Sequence, residues 1–147
     1  MGCAGDRAAI LEGPVTVIDG DTIEIGERRV RLFGIDAPEV AQMCRRRGGT
    51  RWPCGQYATV ALDRLAGGKR ATCTVRNTDS YGRAIAVCTS EGRDLGREQV
   101  RAGWAIAYRR YSRRYEQDEA AARRAGKGIW QGDFEPPWRW RERHPRR

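Results

Sequence analysis

The stretch VIDGDTIEI, residues 17–25, places two aspartates around a glycine between two strand-like segments. Asp-Gly is frequent at the tip of tight hairpins, where both central residues take positive φ. The stretch therefore predicts a β-hairpin with Asp19 and Gly20 at its tip. That turn does not explain Asp21, which follows where the next strand should begin pairing, because aspartate is a poor strand former.

The length and charge of the chain favour one domain with a polyanionic partner. Its 147 residues are enough to bury a core, and its formal net charge is +9. Nucleic acid, an anionic membrane surface or an acidic polysaccharide would suit that charge; a merely basic surface is the alternative. No apolar run approaches the roughly 20 residues of a membrane span. No signal peptide is evident at the start, which lacks a basic segment and an apolar centre.

Four of the five cysteines form two candidate disulfides. Cys73 and Cys88 flank a predicted hairpin turn, and Cys44 and Cys54 bracket the loop CRRRGGTRWPC. Two disulfides would suit an extracytoplasmic protein, whether periplasmic, secreted or lipid-anchored, and four reduced thiols are the alternative. Cys3 is then a free thiol or a lipid-attachment cysteine. A zinc site is not expected, because there is no C-x-x-C pair and the single histidine lies in the tail.

The hydrophobic pattern predicts a mainly β, α+β protein. PVTVID, TIEIG and RRVRLFGI read as strands, and KRATCTVRN with RAIAVCTS reads as a second hairpin. Helices are predicted in QYATVALDRLAG, RDLGREQVRAG and SRRYEQDEAAARRAG, the first with Tyr57, Val60, Ala61 and Leu65 on its apolar stripe. Five strands with helices inserted late suggest a small five-stranded barrel of the oligonucleotide-binding (OB) type.

We expect three segments along the chain. Residues 1–14 form an N-terminal extension, residues 15–131 form the domain, and residues 132–147 form a Pro-, Trp- and Arg-rich C-terminal tail. The tail either packs back through its tryptophans or lies loose. We expect the protein to be a monomer.

A second acidic pair lies at a predicted strand exit, in RVRLFGIDAPEV. Pro38 forces an extended conformation on Ala37 and ends the strand, so Asp36 and Glu39 lie at its exit. Arg31 lies inside the strand and needs an anionic partner or an exposed face. A third stretch, NTDSYGRAI, carries Arg83 directly after a turn.

Taken together, these stretches resemble the staphylococcal nuclease (thermonuclease) family. The similarity covers about residues 15–130, and the three motifs occur in the family's order. The matching segments are DGDT (19–22), RLFGIDAPE (31–39), DSYGR (79–83), QVRAGWAIAY (99–108) and GKGIW (126–130). The resemblance implies a five-stranded barrel with three α-helices. It also implies a calcium-dependent endonuclease that hydrolyses DNA and/or RNA with little sequence specificity, leaving 3′-phosphate and 5′-hydroxyl ends.

The resemblance also implies a calcium site. By position, Asp21 and Asp36 would be its carboxylate ligands and the backbone carbonyl of Ala37 a third ligand. Calcium prefers oxygen ligands, which this set and water would supply. A metal site would also account for Asp21, since it needs a second carboxylate beside Asp36.

The resemblance also implies catalytic and substrate-binding roles for five further residues. Glu39 would position or deprotonate the attacking water. Arg31 and Arg83 would hold the scissile phosphate with forked hydrogen bonds that lysine cannot make. Tyr81 and Tyr108 match tyrosines near the nucleotide in the family, although each is equally well explained by packing.

Two other classes of function remain as alternatives. One is a non-catalytic nucleic-acid-binding module that uses the same basic face. The other is a surface-anchored adhesion or polysaccharide-binding barrel, which rests only on the charge and on Cys3. The intact set of five site side chains favours the enzyme, because the site rather than the fold carries function.

Overall fold

The computed structural model describes residues 9–109 and 112–145. Its helices are α1 (Cys54–Ala66), α2 (Leu95–Arg101), α3 (Glu116–Ala125) and α4 (Pro137–Arg143), with a 3₁₀ helix at Gly128–Gln131. Its strands are β1 (Ile10–Asp19), β2 (Thr22–Ile25), β3 (Arg28–Leu32), β4 (Ile35–Asp36), β5 (Cys44–Arg46), β6 (Arg51–Trp52), β7 (Arg70–Thr78), β8 (Ala84–Ser90), β9 (Arg93–Asp94), β10 (Ile106–Ala107) and β11 (Gly132–Asp133).

Five strands close into a barrel. Their order is β3-β2-β1-β7-β8, with antiparallel neighbours, and β3 pairs in parallel with β8, where Val30 lies opposite Ala84. Closure pairs the edges that an open sheet would expose. The predicted α+β class and five-stranded OB-type barrel are confirmed, and the structure adds a short fourth helix in the C-terminal tail. None of the helices in the described residues is long and apolar enough to cross a membrane.

Helix α1 packs against the barrel with a different face from the predicted one. Tyr57 and Val60, predicted to be buried, are each 47% exposed. The buried positions of the helix are Cys54, Gly55, Ala58, Leu62 and Ala66. Small residues dominate this face because the helix lies close to the β1–β2 turn. The predicted face was wrong because it was chosen from the spacing of the larger apolar side chains.

The β1–β2 turn also differs from the prediction. Asp19 pairs with Thr22, so the tip residues are Gly20 and Asp21 rather than Asp19 and Gly20. Gly20 does not take positive φ. A Cβ atom at Gly20 would lie 2.8 Å from the Cβ atoms of both Ala37 and Ala58, so glycine is needed here for close approach.

A buried glutamine ties this turn to the helices around it. The Nε2 atom of Gln99 in α2 donates hydrogen bonds to the carbonyl of Gly20 at 2.8 Å and to that of Ala58 at 3.1 Å. Gln99 is almost inaccessible to solvent. The buried side-chain amide of Gln99 and the two carbonyls are therefore hydrogen-bonded to one another. The turn is held in place without exposing its backbone to water.

The C-terminal tail packs back onto the domain. β11 pairs with β5, where Gly132 lies opposite Arg46. The fully buried Gln42 donates from Nε2 to the carbonyl of Glu135 at 2.7 Å. These contacts bring α4 over the domain.

Two disulfides link parts of the structure. Cys73 and Cys88 are direct partners on β7 and β8, with Cα atoms 4.0 Å apart, and Cys44 and Cys54 join β5 to α1, with Cα atoms 5.6 Å apart. Disulfides of this kind persist in oxidising compartments. Cys3 lies outside the described residues.

The Gly20→Ala variant should lower the free energy of unfolding by about 1–3 kcal/mol, as other overpacked sites do. Urea denaturation followed by circular dichroism measures this. The matched control is Gly26→Asn, since Gly26 takes φ +63° with no heavy atom within 4 Å of the position a Cβ atom would occupy, and asparagine accepts that conformation. Equal stability of Gly20→Ala and the wild type would contradict the steric explanation.

Reduction of the wild-type protein should lower its free energy of unfolding by about 2–4 kcal/mol per disulfide, because the unfolded chain gains conformational freedom. The control is Cys73→Ala/Cys88→Ala, whose remaining loss on reduction reports Cys44–Cys54 alone. Denaturation curves that do not change on complete reduction would show that neither disulfide stabilises the fold.

Candidate active site

Asp21, at the tip of the β1–β2 turn, has an almost fully buried carboxylate. Its Oδ1 atom accepts a hydrogen bond from Thr22 Oγ1 at 3.0 Å, and its Oδ2 atom accepts one from the backbone N–H of Ala37 at 2.9 Å. Ala37 directly follows β4. Two of the three sequence motifs therefore meet at this carboxylate.

Arg31 lies between the two predicted metal-binding carboxylates. Its Nη2 atom donates to Asp36 Oδ1 at 3.1 Å and to the carbonyl of Ile35 at 3.3 Å, and its Nη1 atom lies 3.6 Å from Asp21 Oδ2. Asp36 is completely buried on β4. Arg31 thus has two anionic partners, and its charge compensates two carboxylates that have left water.

Asp19 is a third carboxylate at the same turn. Its Oδ1 atom accepts the backbone N–H of Asp21 at 3.0 Å. Burial and then the negative charge of Asp21 raise the pKa of Asp19 to about 8. Burial also opposes ionisation of Asp21, but the Arg31 guanidinium and several hydrogen bonds outweigh it and lower the pKa of Asp21. A proton shared by this pair therefore favours Asp19 over Asp21.

Glu39 lies at the edge of the site and is fixed through its backbone. Its N–H donates to Gln42 Oε1 at 3.3 Å, and Gln42 in turn binds the C-terminal tail. The Glu39 side chain is 17% exposed, so it lies nearer to solvent than Asp36. From this position, the Glu39 carboxylate can contact both the buried groups of the site and water that enters from solvent.

Arg141, in the tail helix α4, completes the set of charges. Its Nη1 atom donates to Asp36 Oδ1 at 2.8 Å and to Glu39 Oε1 at 3.2 Å, and its Nη2 atom donates to Asp36 Oδ2 at 3.3 Å. Burial and the nearby Asp21 charge raise the pKa of Asp36, although both guanidiniums act against them. The effect of burial on Asp36 therefore exceeds that of the two arginines beside it.

The balance of charges suits a divalent cation. When all groups are ionised, four carboxylates face two guanidiniums, which leaves two negative charges uncompensated. Uncompensated buried charge is costly, and a divalent ion with oxygen ligands would neutralise it. The groups involved are Asp19, Asp21, Asp36, Glu39, Arg31 and Arg141.

The side chains alone do not form a complete metal cage. The described part of the chain contains no group of three or more His, Cys, Asp or Glu side chains positioned to hold a metal. Calcium bound by Asp21 and Asp36 would take its other ligands from backbone carbonyls and water, which is usual for this ion. The buried Ala37 carries the predicted carbonyl ligand. The predicted ligand set is thus compatible with the donors present and stays a prediction.

Arg83 is held by the turn that precedes it. Asp79 Oδ2 accepts a hydrogen bond from Arg83 Nε at 2.7 Å, while Asp79 Oδ1 accepts the backbone N–H groups of Tyr81 and Arg83, both at 2.9 Å. Burial opposes ionisation of Asp79, but these hydrogen bonds outweigh it and lower the pKa of Asp79. Asp79 therefore shapes the turn and also orients the guanidinium.

The third motif lies beside the first. Arg83 and Tyr81 line a cleft of about 130 Å³ together with Asp19 and Thr22 of the β1–β2 hairpin. Tyr81 is 83% exposed. A ligand in this cleft would contact the hairpin that carries Asp21.

Tyr108 lines a different cavity of about 360 Å³. The walls of that cavity include Trp130, Phe134 and Trp138. The two tyrosines thus lie in separate depressions, and their contact with substrate stays a prediction.

Three residues of the site were missed by sequence reasoning. The predicted turn by itself accounted for Asp19. Its position two residues before Asp21 was nevertheless a signal in the sequence for a further acidic site residue. Arg141 carried no such signal, because it reaches the site through Asp36, which is distant in the sequence. Gln42 lies three positions after Glu39, and its second contact, with the carbonyl of Glu135, is equally invisible in a local pattern.

Comparison with known proteins identifies relatives over most of the chain. Residues 29–132 match the family described as staphylococcal nuclease homologue. The succinoglycan biosynthesis protein ExoI of Rhizobium meliloti (strain 1021) is 36% identical over 135 residues, covering 90% of this chain and 70% of that protein. An uncharacterized endonuclease of Escherichia coli O157:H7 is 36% identical over 139 residues, covering 88% and 83%. The probable staphylococcal-like nuclease CAN2 of Oryza sativa subsp. japonica is 31% identical over 124 residues, covering 82% of this chain and 31% of that protein.

The family match includes β3, the exit of β4 and the turn that holds Arg83. Several relatives carry the name nuclease or endonuclease. The resemblance inferred from the motifs is confirmed, and the family supports a hydrolytic nuclease. The chain belongs to the staphylococcal nuclease homologue family.

Proposed function

We propose that this protein is a calcium-dependent endonuclease that hydrolyses phosphodiester bonds of DNA and/or RNA with little sequence specificity. The observation that supports this most strongly is the buried pair of carboxylates, Asp21 and Asp36, which both lie within ion-pair distance of Arg31. A barrel with a purely structural core would not need two carboxylates in this position, since burying them costs free energy.

The calcium ion would be held by the carboxylates of Asp21 and Asp36 and by the carbonyl of Ala37. When bound, it would supply positive charge that polarises a phosphoryl oxygen and orients water. Thr22 and the N–H of Ala37 hold the Asp21 carboxylate in one orientation. The Asp21 carboxylate would therefore need little rearrangement around the ion.

Glu39 is the proposed general base. Its carboxylate would take a proton from the attacking water, whose oxygen then forms a bond to phosphorus. The bond from phosphorus to the 5′ oxygen would break with its electron pair passing to that oxygen, which would take a proton from solvent water, leaving a 3′-phosphate and a 5′-hydroxyl. Gln42 is a positioning residue in this scheme, because it holds the backbone of Glu39.

Arg31 and Arg83 would stabilise the pentacoordinate phosphorus. Negative charge increases on its equatorial oxygens, and a guanidinium can donate two parallel hydrogen bonds to them. Arg31 is oriented by its two carboxylates and Arg83 by Asp79. Two preorganised guanidiniums of this kind would favour the transition state over the substrate.

The same proposal covers the substrate, the cellular location and the oligomeric state of the enzyme. The net charge of +9 supports a polyanionic substrate. Tyr81 is exposed beside Arg83, where its ring would stack on a base or its hydroxyl would contact a phosphate. Tyr108 would contact the substrate from its own cavity. The two disulfides support an extracytoplasmic location, periplasmic, secreted or lipid-anchored, and we propose a monomer.

Glu39→Gln should reduce kcat for cleavage of single-stranded DNA in calcium by roughly 10²–10⁴-fold, the usual contribution of a general base. Arg83→Lys should reduce it by roughly 10²–10³-fold, because lysine cannot make the forked contact. Initial rates measured in calcium and in chelator, on DNA and RNA, test both variants.

The controls are Glu27→Gln and Arg28→Lys, which change the same residue types at exposed positions of the β2–β3 hairpin. They should cleave at the wild-type rate. Salt-sensitive binding without cleavage in any divalent metal would instead identify a non-catalytic nucleic-acid-binding module. Cleavage that persists in chelator would contradict the role of calcium.

A further inference from the structure

The guanidinium of Arg141 lies on the carboxylates that the proposed function assigns to the metal and to the base. It contacts both oxygens of Asp36, at 2.8 and 3.3 Å, and Oε1 of Glu39 at 3.2 Å. Arg31 already donates to Asp36 Oδ1. The lone pairs of Asp36 that would ligate a cation are therefore engaged by arginine.

Arg141 reaches this position from a separately anchored segment. The C-terminal tail is attached to the domain through β11 and through the bond from Gln42 to the carbonyl of Glu135. Beyond these anchors, Pro137 is the only buried residue in α4. The helix is thus tethered close to the site while few of its own side chains are packed into the core.

We propose that Arg141 is a tethered competitor for the divalent cation and sets the affinity of the site for it. This inference rests on the proposed function, because it takes Asp36 as a cation ligand. A divalent ion needs the oxygen lone pairs that Arg141 occupies, and its charge repels a guanidinium held at the same carboxylate. Cation binding therefore requires Arg141 to leave Asp36, and α4 moves away from the site with it.

The competition has a consequence for the protein without metal. Arg141 supplies one of the two positive charges that compensate Asp36, so the site stays intact when calcium is scarce. Removing Arg141 would leave Asp36 with Arg31 alone and increase the excess of buried negative charge. The metal-free protein would then be less stable, and its attraction for a cation would be stronger.

The first experiment is calorimetric titration of calcium into the wild type, Arg141→Gln, Arg141→Lys and Arg139→Gln. Arg139 is exposed on the same helix and is the matched control. Arg141→Gln should bind calcium more tightly by roughly ten- to hundredfold, the range in which neighbouring groups change metal affinity. Arg141→Lys should lie between the wild type and Arg141→Gln, because it keeps the charge but not the fork. Arg139→Gln should match the wild type.

The second experiment uses the wild type alone and so does not depend on the folding of any variant. Hydrogen exchange is followed in α4 with and without calcium. The amides of Arg139 and Trp140 bond to the carbonyl of Pro136, and that of His144 bonds to the carbonyl of Arg141. Displacement of the helix should speed exchange in this segment, while the barrel strands exchange more slowly or unchanged.

The outcomes separate the two proposals. Tighter calcium binding by Arg141→Gln, with faster exchange in α4 of the wild type, supports the competition. Equal calcium affinities in all four proteins, with unchanged exchange in α4, would overturn the competition and leave the calcium site standing. Weaker binding by Arg141→Gln would overturn it too, by showing that Arg141 assists the cation. Absence of calcium binding in every protein, with all four folded, would overturn both proposals.

Discussion

The structure depends on keeping two carboxylates buried beside a guanidinium that they share. Asp21 and Asp36 are both nearly inaccessible to solvent, and Arg31 lies within ion-pair distance of each. Charges removed from water need partners with good geometry, or the burial costs more than the rest of a small domain can offset. The elements around the site supply that geometry.

Packing of the barrel against α1 brings the carboxylates together. The β1–β2 turn approaches both Ala37 and Ala58 so closely that only glycine fits at position 20. Gln99 then holds the turn against α1 through hydrogen bonds to a carbonyl of each. The site is therefore built from backbone contacts between small residues, which leave little freedom in the position of Asp21.

The C-terminal tail contributes to the site electrostatically as well as by packing. Arg141 brings a second guanidinium to Asp36 and bridges it to Glu39. Membership of the staphylococcal nuclease homologue family agrees with the barrel, and the family match covers Arg31, Asp36, Glu39 and Arg83. The family match ends at residue 132 and Arg141 lies beyond it, so the proposed role of Arg141 rests on the contacts of its own guanidinium.

The sequence by itself determined the barrel, the family and the short-range motifs, because strand patterns, turns and the order of charged residues are local properties. It placed Asp21, Asp36 and Arg31 in one site through resemblance, and the structure brings these side chains into contact. Only the tertiary structure decided that Asp21 lies in the turn, that α1 packs mainly through small residues, and that Arg141 reaches Asp36. These features depend on how closely distant segments approach one another, and no local pattern of hydrophobicity or charge encodes that distance.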